Sequence, residues 1–368
     1  MSKAHSKVAH PTDPGVLIVG AGITGLMTAT ALPTLAHRLS LVDKGKSVGG
    51  RLATRRMAGG RADHGAQFFT ARSAAFSAYV ENWQRDGLLF TWSNGWSDGS
   101  LAAAPNDGHA RYAVHGGMNA LAKQLAATIS ASGAAVHTGV RLQAISRTAD
   151  GWWACSVDGR VYTAQILVLT APVPQSLALL AEGDVVLDVD DAERLGRIAY
   201  APSLCALLHF DVELDLPAPG AFQRPDALVP WLADNRRKGI SPESTVLTAH
   251  ASAAFSHRHF DDADDLIIHA FLGELAPLLN KVPAPVEVQI KRWRYALPTT
   301  LDAAPFLRAA NLPPLFFGGD AFGAPRVEGA ALSGLAIADA LRAIMAPAAP
   351  DIVPDNELVR PVNARHDA

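Results

Sequence analysis

VLIVGAGITGLMTATALPTLAHRLSLVD, residues 16–43, decides the fold. An apolar run, the glycines Gly20, Gly22 and Gly25, an alanine-rich stretch and a second apolar run ending in Asp43 predict strand, tight turn, helix and strand. Each glycine has its own task. Gly20 permits the turn, Gly22 leaves no side chain between backbone and a pyrophosphate, and Gly25 lets the helix pack close on the strand. The helix start then turns free N–H groups and the positive end of its dipole toward phosphates. Asp43, 18 residues past Gly25, stands where a carboxylate accepts hydrogen bonds from an adenosine ribose. Pro33 cannot donate to the preceding turn and is expected to end or kink the helix that runs through LMTATAL.

Around this unit, 368 residues suggest about two domains. Some 49% of them are apolar, which is ample material for a core. A net charge of -3 and a pI near 6.5 give no basic footprint, which excludes nucleic acid and an acidic membrane as partners. Cys155 and Cys205 are far apart, without metal-site spacing, and fit a reducing compartment better than a disulfide scaffold. Residues 1–14 lack the apolar core of a signal peptide, and no apolar run reaches the roughly 18 residues of a membrane span. The expectation is a soluble, cytoplasmic monomer or homodimer. Residues 1–14 and the Pro-rich 347–368 are expected to be a disordered lead and tail.

Beyond Asp43, KGKSVGGRLATRR offers Gly49 and Gly50 for close backbone approach and Arg51 for phosphate oxygens, although alone it would pass for a solvated basic loop. RADHGAQFFTAR, with Asp63, Gly65 and Gln67, could be an ordinary edge strand; beside the opening motif it is better taken as backbone wrapping a dinucleotide. SAAFSAYVENWQRDG is a helix, and LFTWSNGWSDGS reads as short strands with tight turns. Met118, Leu121, Leu125 and Ile129 recur at helical spacing, with Gly133 as the stop. QILVLTAP is a strand whose Pro172 and Pro174 mark the exit to a second domain. LCALLHFDV and STVLTAHAS are strand candidates there. Trp231, His250, Phe255, Trp293 and Tyr295 are the notable side chains, most of them explained by packing. His257 and His259, in a strand or a loose loop, make no convincing ligand set, and no metal site is expected. Near the C-terminus, LFFGGD is a buried strand ending in Asp320, and VEGAALSGLAIADAL is a helix.

VGAGITGL, VDKGKSVGGRLATRR, DHGAQFFTAR, RWRYALP and GGDAFGAPRVEGAALSG, in that order, resemble the amine-oxidase-like flavoproteins, specifically their bacterial renalase-like branch, over about residues 15–345. The resemblance implies an α/β fold: a three-layer Rossmann-type FAD-binding domain with a mostly parallel sheet, and an inserted α+β substrate domain with a mixed sheet. The FAD-binding domain is expected in 15–72, 116–172 and 291–346, and the substrate domain in 73–115 and 173–290. Asp320 would hold the ribityl chain or a neighbouring phosphate, Leu142 would meet the adenine through its backbone, and Gly329 and Ala330 would direct N–H groups at the flavin pyrimidine edge. Ile23, Thr24, Lys44, Gly65, Ala66 and Gln67 join the implied cofactor set. So do Thr170, Ala171, Pro172, Trp293, Gly319, Arg326, Val327 and Glu328.

Two glycine-rich turns at opposite ends of the chain, each with a carboxylate, need a ligand long enough to meet both, and FAD fits. No cysteine follows Cys205, so a thioether to the flavin cannot form near the last motif. Flavin taking a hydride builds charge at its pyrimidine edge, which the helix start at Gly329 would stabilise. No carboxylate dyad, Ser/His/Asp set or metal cluster accompanies this machinery, and a dihydropyridine expels hydride without needing a base. YAPSLCALLHFDV also lacks the lysine that many true amine oxidases carry on such a strand. The resemblance therefore implies oxidation of 2- or 6-dihydro-NAD(P) to NAD(P)+, with O2 reduced to hydrogen peroxide. Trp293, Tyr295, Gln67 and His250 are the candidate catalytic residues. NRRKGIS, residues 235–241, departs from the N-x-SKPGR of renalase-like chains. Oxidation of an amine or another small metabolite, and a flavin-carrying partner protein without turnover, are the alternatives.

Overall fold

The computed structural model describes residues 15–98, 106–214, 216–279 and 283–346; the expected lead and tail lie outside them. In chain order the elements are β1 (Val16–Val19), α1 (Ile23–Thr30), β2 (Leu39–Val42), β3 (Thr54–Met57), β4 (Gly60–Asp63), α2 (Ala74–Arg85), β5 (Leu89–Ser93), β6 (Arg111–Val114) and α3 (Asn119–Ala131). There follow β7 (Ala135–His137), β8 (Leu142–Thr148), β9 (Gly151–Ser156), β10 (Val161–Ala164), β11 (Ile166–Leu169), α4 (Val173–Ala181) and α5 (Val189–Gly196). The remainder are β12 (Ala199–Phe210), β13 (Ala221–Gln223), β14 (Trp231–Asp234), β15 (Thr245–His250), α6 (Ala253–His259), α7 (Asp264–Leu275), β16 (Glu287–Thr300), β17 (Leu307–Arg308), β18 (Leu315–Phe317) and α8 (Arg326–Met345).

Six strands in the order β17-β18-β11-β1-β2-β7 form a sheet that is parallel except for β17. VLIV of β1, ILVL of β11 and LFF of β18 are buried throughout, as strands covered on both faces must be. Alternate residues serve the two faces. Val16, Ile18, Leu41, Val168 and Phe316 pack against α1, α3 and α8. Leu17, Val19, Leu167, Leu169 and Phe317 pack against the antiparallel β8–β9–β10 meander around Trp152 and against α4. As expected of Pro33, the helix ends before it: α1 stops at Thr30, and the proline opens a separate 3₁₀ turn, Pro33–Arg38, where its missing N–H has no partner to lose.

A second sheet, β13-β14-β15-β12-β16, pairs its five strands antiparallel, and a parallel bridge joins Ser97 to Phe222 of its edge strand β13. Its neighbours β13, β14 and β15 follow one another in sequence through short connections, which reverse direction and cannot make parallel pairs. One face buries Leu204, Ala206, Leu208, Leu247 and Ala249 under α7 and its Phe271. The other carries Cys205, Leu207 and Val246, on which Met57 and Ala62 of the β3–β4 hairpin sit. This second face is where the hairpin's side chains meet the sheet.

Two details differ from the sequence reading. α2 and the β5–β6 ribbon, expected with the second domain, bury Phe76, Val80, Trp83, Leu89 and Val114 in the core beneath α1 and α3. His257 and His259 lie on the helix α6, capped by Ser252, and His259 Nδ1 is 2.8 Å from Asp262. Among the described residues no group of three or more His, Cys, Asp or Glu is placed to hold a metal, and no helix is long and apolar enough to cross a membrane.

Candidate functional site

The start of α1 carries no side-chain cap and no acidic residue in its first turn, so its leading N–H groups stay open. Gly20 has φ +109°, and a Cβ there would meet Thr170 Oγ1 at 2.5 Å. A Cβ on Gly25 would drive into the Gly20 carbonyl. Gly22 differs: nothing stands within 4 Å of where its Cβ would be, so the space in front of the helix is free. Gly50, at φ +51°, faces it across that space. Asp43 accepts the Ala21 N–H at 2.8 Å and the Gly45 N–H at 2.7 Å, one on each carboxylate oxygen, which orients the group at the end of β2 and leaves further lone pairs. Lys44 donates to Gln175 at 2.8 Å.

The start of α8 likewise has no side-chain cap. Arg326 adopts φ +72°, an uncommon conformation for a side chain with a Cβ and one that clusters at ligand sites. Gly329 is needed because a Cβ would collide with the Ala324 carbonyl. Glu328 accepts the N–H groups of Arg72 (2.9 Å) and Ser73 (2.7 Å), so its carboxylate ties the approach to α2. Thr24 donates to the Ala330 carbonyl at 2.9 Å and Thr28 to that of Gly334 at 3.1 Å, which sets the first turns of α1 and α8 side by side. Ile23, Val327 and Leu142 are buried, and Gly319, at φ +146°, donates to Ser333 at 3.0 Å. Thr170 donates to the carbonyls of Val19 and Gly20, each at 3.0 Å; Ala171 accepts from Ser176, and Pro172 opens α4.

Arg51 does not stand free for phosphate. It holds Asp320 through two 2.7 Å hydrogen bonds and also donates to the Ala296 carbonyl at 3.0 Å. One planar fork thus joins the first glycine loop, the second carboxylate and β16. Gly65 packs on the Arg51 carbonyl, which accepts the Ala66 N–H at 2.8 Å.

Beside that junction lies a buried polar group. Gln67 Nε2 donates to the carbonyls of Asp63 (2.7 Å) and Gly65 (3.2 Å), which uses both amide hydrogens and fixes the amide's orientation. His250 Nε2 is 3.3 Å from the same nitrogen, and Ser203 Oγ is 3.4 Å from His250 Nδ1. Trp293 donates its indole N–H to the His64 carbonyl at 2.7 Å and stacks on the His64 ring, with centroids 5.3 Å apart. Burial pushes both imidazoles down to about 4; for His64 the cations Lys291 and Arg55 add to it, and for His250 the field of His64 does. Both rings are therefore neutral near pH 7. Of the four expected catalytic side chains, Gln67, His250 and Trp293 come together here. Tyr295 lies further along β16 against Tyr200, at 5.7 Å between ring centroids. The Tyr200 hydroxyl, pushed up to about 12 by burial, accepts the Val173 N–H.

Lys238 had no role in the sequence reading, and Asp63 was named there only within the segment expected to wrap a dinucleotide. Their side chains have no exposure to water and pair at 2.6 Å. The ammonium also donates to the Gln67 carbonyl at 2.5 Å and lies 4.7 Å from the centre of the Trp92 ring. Asp63 accepts in addition from Thr54 (2.5 Å) and from the Met118 N–H (2.8 Å). Asn235 and Thr248 complete the lock on the Asp63 backbone. Trp92, Trp96 and Trp231 pack edge to face beside it with Phe68 tilted against them, so Trp231 is core, as its type suggests. The only sequence signal was the unusual NRRKGIS loop that holds Lys238.

The geometry fits a long dinucleotide. Two uncapped helix starts lie adjacent, Gly22 and Gly50 leave a cradle that a side chain would fill, and a carboxylate marks each end. Comparison with known proteins agrees. The family described as flavin containing amine oxidoreductase matches residues 84–342, and the NAD(P)-binding Rossmann-like domain matches residues 18–83. Renalase of Mus musculus is 23% identical over 342 residues, spanning 89% of this chain and 98% of the mouse protein. In fold, the chain is similar to putrescine oxidase bound to putrescine (TM-score 0.66, 15% identity, 90% of this chain and 99% of that one). It is similar also to a fatty acid isomerase of P. acnes that produces CLA (TM-score 0.61, 13% identity, 90% and 99%). The chain belongs to the flavin containing amine oxidoreductases, as a renalase-like oxidoreductase that depends on noncovalently bound FAD.

Proposed function

We propose that this enzyme oxidises a dihydropyridine, an isomeric 2- or 6-dihydro-NAD(P), to NAD(P)+, with O2 as electron acceptor and hydrogen peroxide as second product. The observation that carries the reading is the drained basicity of the polar group beside the Arg51–Asp320 junction. His64 and His250 are held at about 4, Asp63 is committed to Lys238 and Asp320 to Arg51. None of these is suited to abstract a proton from an alcohol or an ammonium at neutral pH. A dihydropyridine needs no such base, since its own ring nitrogen drives hydride loss.

Bound FAD supplies the two-electron acceptor for this chemistry. The open turn at Gly20, Gly22 and Gly25 with Asp43 would hold its adenosine half, and Asp320 with the start of α8 its flavin half. The first-turn N–H groups of α8 would favour negative charge on a flavin ring edge held there. Trp293, locked by its indole hydrogen bond, offers a flat wall for an aromatic substrate ring, and the pinned amide of Gln67 is preorganised beside it. In this reading 15–72, 116–172 and 291–346 carry the cofactor, 173–290 roofs it, and the enzyme works in the cytoplasm as a monomer or homodimer.

The test is aerobic turnover. With 2- or 6-dihydro-NAD, consumed O2, peroxide and NAD+ should appear in equal amounts. Peroxide from amines with none from any dihydronicotinamide would replace this reading by amine oxidation.

A further inference from the structure

The β3–β4 hairpin lays Met57 on Cys205 and Leu207. Arg55, two residues before Met57, is on the same face of β3. Lys291 sits opposite Cys205 in the β12–β16 register. The two cations therefore share one patch, with Arg55 exposed and Lys291 half-buried. Neither has a carboxylate within ion-pair distance among the described residues, and Lys291 donates only to Gln289, at 2.7 Å. Of the acids whose field reaches Lys291, Asp264 is paired with Arg292 at 2.6 Å, and Glu287 accepts the Gln289 amide at 2.7 Å without an ion pair to either cation. Burial and then the Arg55 guanidinium depress the Lys291 ammonium, and both cations act on His64. Trp293 follows Lys291 by two residues on that same face of β16, about 7 Å along the strand. Two adjacent cations with no carboxylate at ion-pair distance among the described residues, in a chain of net charge -3, are not general basicity. They are a preformed place for an anion next to the aromatic wall.

We propose that Arg55 and Lys291 form the subsite for the substrate's phosphate groups, so that the enzyme selects dihydropyridines carrying a phosphate ester or pyrophosphate. The proposal rests on the dihydropyridine reading. Arg55 supplies the planar fork that matches phosphate oxygens, and Lys291 a point charge beside it. The ring end of the substrate lies at Trp293, and a sugar bridges the gap to the cations. Arg56 and Arg61, opposite each other in the hairpin, occupy its other face and take no part.

The test uses the FAD-loaded protein and its Arg55→Ala, Lys291→Ala, double and Arg56→Ala variants. ADP-ribose, which carries a pyrophosphate and no reducible ring, serves as the calorimetric probe. The double variant should bind it about tenfold more weakly or worse. KM for dihydro-NAD should rise by about the same factor with kcat nearly unchanged, while a 1-alkyl dihydronicotinamide without phosphate is oxidised as before. Arg56→Ala should match the wild type. Unchanged ADP-ribose binding and unchanged KM in the double variant would overturn the subsite and leave the reaction standing. Loss of ADP-ribose binding in a protein that oxidises no dihydropyridine would support the subsite and remove the reaction.

Discussion

An ammonium shut off from water, like that of Lys238, is tolerated only while its partners hold. Lys238→Met keeps the length and removes the charge, which leaves Asp63 buried without its cation. Chemical denaturation should show a loss on the order of 3–5 kcal/mol. Asn235 and Thr248, which reach the backbone of Asp63 and not its carboxylate, should matter less. His64 and His250 make a second prediction. Their folded values near 4 lie below the ordinary value near 6.5, so the unfolded chain takes up protons first as pH falls. Their contribution is complete above about pH 6.5 and declines toward about pH 4, by on the order of 3 kcal/mol each. Denaturation midpoints at about pH 7 and pH 5 check the sign: the lower pH must be the less stable. Neither effect was legible in the sequence. A lysine in a charged loop is ordinarily solvated, and its burial here depends on an aspartate 175 residues away. His64 and Trp293 meet across 229 residues.

At the scale of elements, the two helix starts were legible because their signals are local. The glycines of α1 sit between two apolar strands, and LFFGGD precedes α8 in the same manner. Gly22 and Gly25 nonetheless separate in consequence. Gly22→Val points into open space, so the folded apoprotein should keep its melting temperature while FAD occupancy falls steeply. Gly25→Ala meets the Gly20 carbonyl and should destabilise the apoprotein itself by roughly 1–3 kcal/mol. Flavin content after gel filtration and the apoprotein melting curve distinguish the two. Pro33 reads as a helix breaker in sequence; α1 does end ahead of it, and the proline also opens the next turn. The placement of α2 and the β5–β6 ribbon was not legible, because their apolar faces do not say which core they will cover.

At the scale of the whole molecule, the Arg51–Asp320 fork closes a separation of 269 residues and ties β16 to it through Ala296. Sequence marked both side chains for the dinucleotide but could not show that they hold each other. Arg51→Ala leaves the Asp320 carboxylate, almost wholly buried, without its partner. It should release FAD about tenfold more readily on dilution, whereas Arg56→Ala should retain it, as flavin fluorescence would report. In the proposed function, the two glycine turns, the fork and the weakly basic imidazoles would serve an enzyme that accepts a hydride and does not first remove a proton. The direct measurement of that claim is anaerobic rapid mixing of the FAD-loaded protein with 2- and 6-dihydro-NAD, following the flavin absorbance. The account predicts bleaching within seconds and stoichiometric NAD+; an unbleached flavin at saturating concentrations of both isomers would contradict it.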